Sequence, residues 1–160
     1  MVDIVKSTVR KYIKGTPKKD YVKELTILVC NLTDIVKGNL KIQTSRVYIT
    51  TKVLKHMYDK RTAEEFDFVV SNLTDFIKFP ERIYKNKQGK TGNYCFYKTI
   101  AKDAYFCVLE ISGDKDPCDE EIGMVYVVSA YRLSEDKKKR RNYLSSYKLL
   151  WSWKGDNPSS

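Results

Sequence analysis

Residues Val47 to Ile77 read VYITTKVLKHMYDKRTAEEFDFVVSNLTDFI, a β-rich start followed by two helical patterns. Val47, Tyr48 and Ile49 are residue types that suit a pleated strand. Thr50 or Thr51 supplies a hydroxyl to cap a helix running through Met57. On that helix Lys52 and His56 lie four apart and share one face, while Val53 and Met57 share another. The helix has an apolar side to bury and a basic side carrying the only histidine of the chain. Thr62 then meets Glu65 three residues on, the spacing of a capping box. Phe66, Val69, Val70, Leu73 and Ile77 follow as a buried helical stripe, which Pro80 ends.

Downstream the period changes to that of strands. Arg82–Lys85 is short, and 86–92 is a polar turn. Asn93–Ile100 and Ala104–Ser112 make a hairpin around Ala101, Lys102 and Asp103, and 113–121 is an acidic loop. Ile122–Arg132 is apolar on both faces and is expected near the middle of the sheet. Residues 134–149 read as a basic helix with Tyr143, Leu144, Tyr147 and Leu150 offering an apolar side, and the last six residues as loose chain. Upstream, Tyr21, Leu25, Leu28, Val29 and Leu32 recur at helical spacing, predicting one helix from Lys19 to Val36 stopped at Gly38-Asn39.

These elements predict an α+β fold: N-terminal helices on one face of a four- to five-stranded, mainly antiparallel sheet, with a basic C-terminal helix. The 160 residues suit a single domain, divided into an N-terminal helical extension (1–45), a core (46–133) and a basic segment (134–160). With 42% hydrophobic and 12% aromatic residues the chain has the means to build a core, which argues against disorder. No apolar run is long enough to span a bilayer, and the charged start MVDIVKSTVRKY lacks a secretory core. A cytoplasmic protein is the expectation.

The net charge of +10 is concentrated at the two ends. Residues 1–20 carry six basic and two acidic side chains, and 137–154 carry seven basic and none acidic. Clustered cations attract phosphate backbones by releasing counterions; a solvated face is the plainer reading. Cys30, Cys95, Cys107 and Cys118 show no zinc spacing and read as free thiols, mostly in apolar runs. There is no GxSxG, HExxH, P-loop or GxGxxG motif, and the acidic loop lacks the EF-hand pattern.

One imidazole among cations points to chemistry on phosphate. Cleaving RNA through its own 2′-hydroxyl needs proton transfer at two oxygens and fixed cations for the phosphorane, and no metal. Histidine suits either proton role at cellular pH. A single histidine excludes a two-histidine mechanism of the pancreatic type. His56 is the candidate acid/base, set against an incidental surface histidine. Lys52, Lys55 and Arg61 are the cations around it. Lys98 shares a strand face with Tyr94 and Phe96, on which bases could stack; it is otherwise an edge-strand lysine reaching water. Ser129 interrupts Val125–Ala130, either to meet substrate or to bond the backbone. Tyr131 and Arg132 close that strand, and Lys138, Lys139, Arg140 and Arg141 form the basic stretch beyond it.

At this point residues 46–133 resemble the phage-associated branch of the barnase/EndoU/colicin/RelE-like (BECR) ribonuclease superfamily. The resemblance rests on VYITTKVLKHM with its Lys55-His56 pair, EEFDFVVSNLTDFIKFPERI, GNYCFYKTI, AYFCVLEI and IGMVYVVSAYRLS. Its most specific part is the passage from helix through FPERI into a strand. The resemblance implies a metal-independent endoribonuclease, toxin- or phage-effector-like, leaving 2′,3′-cyclic phosphate ends and using no cofactor. By position, His56 would be the acid/base, Lys98 a phosphate contact and Ser129 the hydroxyl of the last strand. Many relatives carry an Arg-His pair shortly after the first histidine. Here Asp59-Lys60-Arg61 keeps an arginine and lacks the second histidine, which favours a one-histidine scheme helped by Lys or Arg, as in colicin-D-like members. RNA, tRNA included, and an acidic immunity or antitoxin protein are the partners this implies. The rival readings are a nucleic-acid-binding module without chemistry and a phage interaction protein that uses the basic face.

Overall fold

A computed structural model describes residues 3–86, 93–111 and 124–153. The chain opens with α1 (Ile4–Thr8), capped by the Asp3 carboxylate and continued by a π-helical turn over Val9–Ile13. There follow β1 (Thr26–Asn31), α2 (Asp34–Leu40), β2 (Arg46–Thr50), α3 (Thr51–Lys60), α4 (Ala63–Lys78) and β3 (Arg82–Asn86). The rest is β4 (Asn93–Ile100), β5 (Asp103–Ile111), β6 (Val125–Arg132), α5 (Lys137–Leu144) and β7 (Tyr147–Ser152). The strands form one sheet in the order β1-β2-β6-β5-β4-β3-β7. Only β2 and β6 run parallel; every other neighbouring pair is antiparallel.

The strand-to-helix reading of 47–77 holds. Thr50 accepts from the Val53 amide and so caps α3 at the last residue of β2. Thr51 is buried instead, its hydroxyl bonded to Lys23 O at 2.6 Å and to the Leu25 amide at 2.9 Å. Thr62 caps α4 through the Glu65 amide at 3.2 Å. A hydroxyl lost at such a cap costs about 1 kcal/mol. Thr62→Ala should therefore lower the urea midpoint by that equivalent without changing the slope. The α4 stripe buries Phe66, Val69, Leu73, Phe76 and Ile77 in the same core as Val47, Ile49, Val125 and Val127 of the central strands.

Side chains alternate across the sheet, so it has two covered faces. In β5, Tyr105, Cys107 and Leu109 join the core under the N-terminal helices, while Phe106 joins a second cluster with Tyr84, Cys95, Tyr97 and Leu133. Leu144 of α5 and Tyr147 and Leu149 of β7 pack on that second cluster. Burial pushes the Cys95 thiol up to about 12 and the Cys30 thiol up to about 11, which leaves both poor nucleophiles.

Three expectations are corrected. The helix expected over 19–36 is replaced by β1, because Ile27 pairs with Ile49 of β2 and is buried there, while Tyr21 is 86% exposed. Gly38 and Asn39 do not stop a helix but lie inside α2, which ends at Lys41 in a left-handed conformation (φ 57°). The basic helix expected over 134–149 is cut to eight residues, and 147–152 becomes an edge strand paired with β3. With β1 and β7 added, the sheet has seven strands rather than four or five. The expected turn 86–92, the acidic loop 113–121 and the loose C-terminus lie largely or wholly outside the described residues. No helix among the described residues is long and apolar enough to cross a membrane.

Candidate active site

The site begins where β2 becomes α3 with no connecting loop. α3 buries Leu54, Lys55 and Met57, which leaves Lys52, His56 and Lys60 at successive turns of its exposed side. Its last turn ends at Arg61, whose extended backbone (φ −104°, ψ 160°) begins the short join to α4. From that join the guanidinium reaches β6. Its Nη2 donates to Ser129 Oγ and to Ala130 O, both at 3.3 Å, and Nε donates to Ala130 O at 3.4 Å. The group also lies 5.6 Å from the centre of the Tyr131 ring.

Glu65, one turn into α4, holds two arginines. One carboxylate oxygen is 3.4 Å from Arg61 Nε and the other 3.9 Å from Arg132 Nε. Arg132 also approaches Glu135 at 3.8 Å. Together His56, Lys60, Arg61, Glu65, Ser129, Tyr131 and Arg132 line an open groove of about 470 Å³. The lining sets three cations and an imidazole against one carboxylate. The Tyr131 hydroxyl is hydrogen-bonded with that of Tyr143. Burial, then that bond, pushes the phenol far above its ordinary range, so it serves as a neutral hydroxyl.

The structure thus gathers His56, Arg61, Ser129, Tyr131 and Arg132, which come from two separate parts of the sequence, 56–61 and 129–132. A bulge in β6 helps to set them: Val108 pairs with Ser129 but Leu109 with Val127. Val127 and Ala130 accordingly both enter the core, and Ser129 does not share the face of Val127. Two expected residues lie elsewhere. Lys55 is 5% exposed and bonds Thr16 Oγ1, Pro17 O and Asp59 Oδ1 at 2.6–2.8 Å, so it points away from the groove. Lys98 donates to Phe79 O at 2.7 Å and lines a different hollow, with Ile35, Trp151 and Trp153. Phe96 is fully buried and offers no stacking face.

Lys52 is exposed one turn before His56 but does not line the groove. Lys139 and Arg140 line an adjoining hollow, and Lys138 and Arg141 are exposed on α5. Lys60 and Glu65 complete the groove without having been expected. The i, i+4 spacing of Arg61 and Glu65 was the available signal, read only as half of a cap.

The arrangement offers an imidazole for proton transfer, a guanidinium pinned for planar recognition of phosphate oxygens, and two hydroxyls beside it. A family model described as phage-Barnase-EndoU-ColicinE5/D-RelE like nuclease 3 matches residues 27–140, a span that includes every residue of the groove. No curated protein and no solved structure matches the chain. A chain matched over that length, in a frame that gathers an imidazole and two arginines, belongs to the phage-Barnase-EndoU-ColicinE5/D-RelE like nuclease 3 family.

Proposed function

We propose that the protein is a metal-independent endoribonuclease that cleaves RNA by transesterification in this groove. The observation that supports it most is Arg61 crossing from the α3–α4 join to Ser129 and Ala130 beside His56. In the proposed reaction the 2′-oxygen attacks the adjacent phosphorus and the bond to the 5′-oxygen breaks. The products are a 2′,3′-cyclic phosphate and a 5′-hydroxyl. His56 exchanges one of the two protons with the substrate, and the open groove lets solvent exchange the other. Arg61, Arg132 and Lys60 face the charge that develops on the phosphorane, the kind of preorganised stabilisation that carries most of such a rate. Ser129 and the neutral Tyr131 hydroxyl orient the non-bridging oxygens, and Lys52 draws the strand toward the helix. Lys98 has no part in this scheme, since the groove already holds cations nearer the imidazole.

Transfer RNA is the proposed first substrate, and an acidic immunity or antitoxin protein is the proposed inhibitor of the same basic surface. The test is incubation of the purified protein with total tRNA in EDTA. Discrete fragments ending in cyclic phosphate are expected. Intact RNA at high protein concentration would reject the proposal. It would leave a binding module that uses the cations of α5, for which RNA affinity falls with salt.

A further inference from the structure

The catalytic groove continues into a second hollow of about 310 Å³ between the end of β6 and α5. The two share Tyr131 and Arg132, and the second adds Leu133, Lys139, Arg140 and Tyr143. Resting on the ribonuclease reading above, we propose that this hollow is a subsite for the nucleotide flanking the scissile phosphate, with Tyr143 as base platform and Lys139 and Arg140 as phosphate contacts.

The platform is held from three sides. The Tyr143 hydroxyl bonds those of Tyr131 and Tyr147, and its ring lies 5.9 Å from Phe106 and 5.4 Å from Tyr147. A large aromatic fixed in this way and still 40% exposed can stack a base at little cost in side-chain entropy. The cations are placed as well. Arg140 Nε donates to Ser134 O at 3.0 Å, which holds the guanidinium at the rim. The nearby acids are engaged: Glu135 approaches Arg132, and Asp136 caps α5 through the Lys138 and Lys139 amides. No carboxylate lines the hollow.

An exposed ring beside cations suits an unstacked base with its phosphate, hence a loop or single strand rather than a duplex. Tyr143 lies beyond the residues 27–140 that the family model matches. β7, which follows α5 and pairs with β3, returns Tyr147 beneath it.

The test uses 2′-O-methyl oligoribonucleotides, which cannot be cleaved through the 2′-oxygen, with binding to the full chain read by fluorescence anisotropy. Wild type should bind pentanucleotides more tightly than dinucleotides. Tyr143→Ala should shrink that gain by about tenfold, and Tyr143→Phe should retain most of it because the ring remains. Arg140→Ala, at the surface and safe for folding, should shrink the gain and lower the salt slope by about one phosphate contact. A length gain equal in wild type and Arg140→Ala would overturn the subsite, as would equal competition by duplex RNA. Polyglutamate binding that is lost in Tyr143→Ala would overturn it in favour of an acidic protein partner. Length-dependent binding without cleavage of unmodified RNA would defeat the ribonuclease reading alone.

Discussion

Replacing His56 by alanine should slow RNA cleavage by about 10²–10⁴-fold, the usual contribution of a positioned proton donor or acceptor. The loss should fall on turnover at saturating RNA, because many cations around the groove remain to hold the substrate. Structure should be spared. His56 is exposed on α3, whereas the packing of that helix rests on Leu54 and Met57. Thermal melting of the variant should therefore match wild type within about 0.5 kcal/mol, the usual range for surface substitutions. Full activity in His56→Ala, with EDTA-resistant cleavage persisting, would remove the imidazole from the chemistry. The groove would then act through its arginines alone.

What could be read in the sequence was what local chemistry decides. The caps at Thr50 and Thr62 and the α4 stripe need only neighbours within a few turns, and they formed as expected. β1 was misread because its apolar residues satisfy a helical spacing equally well. What makes 26–31 a strand is β2, which supplies the partner for Ile27. The parallel pairing of Val47 with Val125 is equally nonlocal, and no pattern within either strand announces it. The basic segment shows a subtler failure. Tyr143, Leu144 and Tyr147 turn to one cluster, but Leu150, expected on the same side, packs on the other, and two elements share the task.

The site followed the same division. His56 with Arg61, and Ser129 with Tyr131 and Arg132, were legible as polar residues at the ends of a helix and a strand. That the two sets meet depends on β2 lying beside β6. Lys98 fails for the same reason: β5 separates its strand from β6, and its ammonium turns to the α4–β3 join instead. Lys55 was excludable from geometry alone, since consecutive helical residues diverge by about 100° and cannot share a face with one another.

Truncating Lys55 to alanine should accordingly destabilise the fold rather than weaken RNA binding. The ammonium ties the Thr16–Pro17 loop to α3 by two bonds and forms an ion pair within α3 with Asp59 at 2.8 Å, largely shielded from water. Removing one partner of such a pair leaves the other charge and two polar oxygens under-satisfied. Buried pairs lose about 3–5 kcal/mol in this way. Asp59 keeps some access to solvent, so the lower end, about 3 kcal/mol, is expected, read as a fall in melting temperature and urea midpoint. Acid should close the gap between wild type and variant. The bond from Lys55 holds the Asp59 carboxyl below its ordinary range, aided by the Lys19 amide. The Asp59 contribution is present above the unfolded value, about 3.9, and disappears as pH falls through the lower folded value. Joint replacement as Lys55→Met with Asp59→Leu should recover part of the loss, since an apolar pair leaves no charge stranded. If Lys55→Ala melts like wild type yet binds RNA less tightly, the lysine belongs to the groove and the tie to Thr16 and Pro17 does not persist in solution.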